Sequence, residues 1–108
     1  MAYDPGLAQL LRDDLASLAP EEKPMFGGLC FMASGNMICG VHKAGGLFRV
    51  GKANMDAALA LPGVGPMEMT GRRMAAFVDA APAALADDAT RAALMRLALE
   101  FHASLPPK

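Results

Sequence analysis

The chain has 108 residues, 54% of them hydrophobic and 19% charged, with a formal net charge of −1. Those values describe one domain with a single core, exclude a disordered tail, and argue against direct nucleic-acid binding, which draws on a basic surface. No apolar run approaches the roughly 20 residues that cross a bilayer, the start Met1-Ala2-Tyr3-Asp4-Pro5 lacks the pattern of a secretion signal, and two cysteines make no disulfide framework, so the expected location is the reducing cytoplasm.

Asp4-Pro5 opens the first element, with a capping carboxylate followed by proline at the first helical position. Leu7, Leu10, Leu11, Leu15 and Leu18 then follow one helix face, opposed by Arg12, Asp13 and Ser17. Pro20 and Pro24 end it. Three apolar runs come next, Met25–Ala33, Asn36–Lys43 and Leu47–Gly51, broken by Ser34-Gly35 and Gly45-Gly46, where the backbone takes positive φ at little cost. They predict a three-stranded antiparallel meander. The alanine-rich run from Asn54 to Leu61 is short and helical, and Pro62-Gly63 stops it. Met67–Met69 and Met74–Asp79 flank Thr70-Gly71-Arg72-Arg73 and read as a second hairpin. Ala80–Ala86 reads as an alanine-rich loop. Asp87 or Asp88 caps a last helix with Leu94, Leu97, Ala98, Phe101 and Leu105 on its apolar stripe.

The order α-β-β-β-α-β-β-α implies an α+β fold. It is expected as a two-layer sandwich, one domain over residues 1–108 with a five-stranded antiparallel sheet under helices.

Met25-Phe26-Gly27-Gly28-Leu29-Cys30-Phe31, Gly35-Asn36-Met37, Leu47-Phe48-Arg49-Val50-Gly51 and Gly71-Arg72-Arg73-Met74 together resemble the TfoX/Sxy N-terminal domain family. The likeness runs from Pro24 to Asp79. Arg73 departs from it, standing where the family commonly has proline. Longer members are competence regulators with a second, C-terminal domain; the resemblance implies a stand-alone first domain here, with a regulatory role and no catalytic residues to carry over.

If Ser34-Gly35 is a two-residue turn, Met32 faces Met37, Phe31 faces Ile38 and Cys30 faces Cys39. Alternation then sets Leu29, Phe31 and Ile38 under the helices. Phe26, Cys30, Met32, Met37, Cys39 and Val41 form an apolar patch on the other face. Cysteine and methionine there are also soft Cu(I) ligands, but without closely spaced thiolates they read as adaptable packing residues. Cys39 and His42 lie three positions apart, on opposite faces of a strand, and so make no metal pair. No metal or cofactor is expected. Arg49, Lys52, Arg72 and Arg73, beside Gly51 and Gly71, form a candidate anion site. Adjacent acids (Asp13-Asp14, Glu21-Glu22, Asp87-Asp88) fit capping and solvation better than acid–base work.

The expected function is therefore a non-enzymatic domain acting through protein contact. Its patch would be covered by another protein, most simply a second copy in a two-fold homodimer. A small-ligand or anion sensor is the alternative.

Overall fold

The computed structural model describes residues 3–25, 27–69 and 71–107. Helix α1 spans Pro5–Asp14, and the Asp4 carboxylate accepts from the Gly6 N–H at 2.8 Å. A 3₁₀ turn, Ala16–Leu18, and Ala19 in the left-handed region redirect the chain into the strands. Four strands come next in sequence: β1 (Glu21–Met25), β2 (Gly28–Ala33), β3 (Asn36–His42) and β4 (Gly45–Arg49). After the short helix α2 (Met55–Leu59) come β5 (Val64–Met69) and β6 (Arg72–Ala80), then α3 (Pro82–Ala86) and α4 (Asp88–Ala103). No helix among the described residues is long and apolar enough to cross a membrane.

The strands form one antiparallel sheet in the order β1-β2-β3-β4-β6-β5. The sheet has six strands where the sequence predicts five. The extra one is β1, Glu21-Glu22-Lys23-Pro24-Met25, pairing with β2. Its charges and proline hide it from a search for apolar alternation, yet those residues suit an edge strand, where one side makes no ladder bonds. The expected loop Ala80–Ala86 holds α3, whose Pro82 supplies a preformed helical φ at the first turn.

Helices α1, α3 and α4 pack on β3 and β4, and α2 packs on β5 and β6. Leu7, Leu11 and Leu15 of the α1 region, with Leu85, Leu94 and Ala98, bury Phe31, Ile38, Phe48, Val50 and Val78 in one core. Leu29, Phe31 and Ile38 lie on that face.

The β2–β3 register corrects the expected cysteine pair. Ala33 opposes Asn36 and Met32 opposes Met37, around a turn in which Ser34 and Gly35 have φ of 54° and 79°. The register then shifts: Phe31 opposes Cys39, Cys30 opposes Gly40 and Leu29 opposes Val41. Ile38 is the extra residue of a β-bulge, a one-residue insertion that turns the rest of the strand over to the opposite face. Ile38 and Cys39 are both fully buried in the helix-side core as a result. Cys39 and Val41 thus leave the outer patch to which simple alternation assigns them.

Candidate functional site

The outer face, away from the helices, is built on a row of residues that crosses the whole sheet. Lys23, Cys30, Gly40, Leu47, Asp79 and Gly65 are successive partners on β1, β2, β3, β4, β6 and β5. Cross-strand partners share a face, so Cys30, Leu47 and Asp79 all project outward. Glycine at 40 lets Cys30 settle there: a Cβ on Gly40 would stand 3.3 Å from the Cys30 sulfur and 2.8 Å from the Leu29 carbonyl oxygen. Cys30 is 2% exposed and Leu47 6% although both lie outside the helix-side core. Edge-strand residues close over them from both sides, Met25 from β1 and Met67 from β5.

The result is a trough of about 670 Å³, within the roughly 300–1,000 Å³ of small-molecule sites. Its apolar walls are Met25, Cys30, Met37, Leu47, Met67, Met74 and Phe77; its polar groups are His42, Lys43, Glu68 and Asp79. Methionine thioethers make such a wall adaptable and attractive to aromatic rings.

At one end His42 Nε2 lies 2.6 Å from Asp79 Oδ1. The Ala44 N–H donates to His42 Nδ1 at 3.1 Å. An Nδ1 that accepts carries no proton, so the ring hydrogen sits on Nε2 and is donated to Asp79. Both ring nitrogens are engaged, leaving neither as a base for Cys30. Burial pushes the Cys30 thiol up from its ordinary value, away from the reactive thiolate. Cysteine, histidine and aspartate share the trough without forming an activated nucleophile. Burial also raises the Cys39 thiol, with the charges of Cys30 and Asp14 adding to it.

Of the expected patch, Cys30 and Met37 line the trough, Val41 borders it as well, and Met32 is half-buried opposite Met37 on the same face. Cys39 and Val41 belong to the core, and Phe26 lies outside the described residues. Met25, Leu47, Met67, Met74, Phe77 and Asp79 are the wall residues that sequence reasoning missed. The alternation of Met67 and Met69 marks the second hairpin, but no local pattern tells that it joins the sheet through β4, nor which of its faces continues the outer face of β2 and β3.

The four basic residues are spread out. Arg49 opposes Phe77 across β4 and β6, while Arg73 lies four residues further along β6, about 13 Å of strand. Arg72 and Arg73 are exposed beside the β5–β6 turn, and Lys52 is exposed in the 3₁₀ turn Lys52–Asn54. For a metal, the soft donors on the trough are Cys30 and the thioethers of Met25, Met37, Met67 and Met74. Among the described residues no three His, Cys, Asp or Glu side chains cluster as a metal site.

A family model described as the TfoX N-terminal domain matches residues 13–102, which take in the whole sheet and most of α4. Neither the curated proteins nor the solved structures yield a match.

Proposed function

The chain belongs to the TfoX N-terminal domain family, and from that premise we propose that it is a cytoplasmic regulatory domain that works by binding, with the methionine-lined trough as its site for a small ligand. The observation that carries this reading is the trough itself, concave, largely apolar and about 670 Å³ in volume, on the sheet face away from the helices. A flat apolar face would favour a homodimer instead. Here the sheet covers much of its own outer face, and Leu18 is the one exposed large hydrophobic side chain among the described residues.

A thermal-shift screen of metabolites tests the reading, because a ligand stabilises the state it binds. A saturable upward shift is expected from at least one compound. Gly65→Phe should abolish it while leaving the fold intact. Gly65 shares the trough's row, and a Cβ there meets nothing within 4 Å. A shift that survives Gly65→Phe would place the ligand elsewhere.

Contact with another protein, or with a second copy, is the second reading. Met32 and Met37 favour it: they oppose one another, half-buried, on the outer face. The edge strands β1 and β5 carry Pro24 and Pro66, which suits approach face-on over strand addition. Sedimentation at micromolar concentration tests this reading. A dimer that Met32→Lys converts to a folded monomer supports it, and a monomer from the outset removes the homodimer.

A further inference from the structure

We propose that the trough is specific for a lipophilic organic cation, an aromatic ring system bearing an amine or similar positive group, with Asp79 as its counter-ion and His42 as a positioning residue. The inference rests on the reading of the trough as a ligand site and adds the chemical class of the ligand.

The charge around the trough carries it. The titratable groups that line it beside Cys30 are His42, Lys43, Glu68 and Asp79. His42 accepts the Ala44 N–H at Nδ1 and meets Asp79 as a donor through Nε2. That hydrogen bond engages one of the two carboxylate oxygens, Asp79 Oδ1. Glu68 adds a second carboxylate. Lys43 is exposed in the β3–β4 turn, on a stem long enough to carry its ammonium out to water. The lining therefore carries two carboxylates and one ammonium; Glu68 is exposed and opposes Arg73 in the β5–β6 register, which leaves Asp79 as the carboxylate set among the apolar walls.

Asp79 stands in the row between Leu47 and Gly65, beside Met67, Met74 and Phe77. The Asp79 side chain is 38% exposed, so a cation that brings its own apolar surface can reach the carboxylate and cover the walls beside it. The walls reward the aromatic part of the same molecule, since thioethers pack at aromatic edges. An anionic ring would meet Glu68 and Asp79, and a neutral one would leave the carboxylate unmatched.

Three probes of one shape test the charge: 2-naphthylmethylammonium, 2-naphthalenemethanol and 2-naphthoate. The chain has no tryptophan, so their fluorescence can be followed directly. The cation should bind at least about tenfold more tightly than the alcohol, the scale of one charge-assisted hydrogen bond, and naphthoate most weakly. Asp79→Asn should bring the cation to the alcohol's affinity and leave the alcohol unchanged. His42→Ala should shrink the cation-to-alcohol ratio, whereas damage to the fold would weaken both probes together. If Asp79→Asn fails to fold, the wild-type series alone decides. Equal binding of cation and alcohol, or tightest binding of naphthoate, overturns the charge inference and leaves the trough as a site. No binding by any probe at millimolar concentration overturns both.

Discussion

Arg49 holds its guanidinium between two aromatic rings, 5.9 Å from the Phe77 centroid and 5.3 Å from that of Phe101. One ring comes from β6 and the other from α4, so a single side chain ties the last helix to the sheet. Arginine suits the place because its flat cation stacks on a ring where an ammonium cannot. Arg49→Lys should cost about 1 kcal/mol in a denaturant titration; unchanged stability would show that the rings do not hold the group. The cysteines give a second test at this scale. The bulge at Ile38 puts Cys30 and Cys39 on opposite faces, so the purified protein should show two thiols and no disulfide under non-reducing mass measurement. Cys39 should resist alkylation until the chain unfolds. A bridge found in the folded protein would contradict the observed register. The turn and the first two pairs of that hairpin are legible from Ser34-Gly35. The bulge is not, because an inserted residue leaves no mark in a run that is apolar on both sides.

At the scale of elements, polar pairs join neighbours around the rim of the core. Arg91 of α4 reaches Asp14 at 2.7 Å, Asp88 at 3.0 Å and the Leu85 carbonyl at 2.8 Å, drawing α4, α1 and the end of α3 together. Arg91→Ala should destabilise the fold by about 2 kcal/mol, since a mostly buried carbonyl and a carboxylate lose a charged donor. Arg12 grips Glu22 with two bonds, of 2.6 and 2.7 Å, tying α1 to β1. Hydrogen bonding from Arg12 lowers the Glu22 carboxyl, and the Thr90 hydroxyl and N–H do the same for Asp87 at the start of α4. A lowered folded value means the unfolded chain takes up protons first. The stability these groups add is thus complete above the ordinary carboxylate range and is lost as pH falls through the lowered values. A urea titration against pH should be level above about pH 5 and decline below about pH 4. Glu22→Gln should remove at most about 1 kcal/mol of that decline, as befits a largely exposed pair. The capped helices and apolar strands are readable from Asp4-Pro5, Asp87 and the leucine spacing. Strand β1 is not, since an edge strand is specified by what it must avoid.

For the whole molecule, the last helix is closed onto the sheet by contacts that span most of the chain. The Ala33 carbonyl lies 2.8 Å from His102 Nε2, the Asn36 side chain donates to the Pro106 carbonyl at 2.9 Å, and the Phe101 ring crowds Gly51. The partners in the first two are 69 and 70 residues apart in sequence. The β2–β3–β4 meander needs only local loops, whereas seating α4 requires closing a loop of most of the chain, which is entropically slow. The meander is therefore expected to form the folding nucleus, with α4 docking after the barrier. Leu94→Ala should accordingly speed unfolding and leave the refolding rate almost unchanged, while Phe31→Leu should slow refolding.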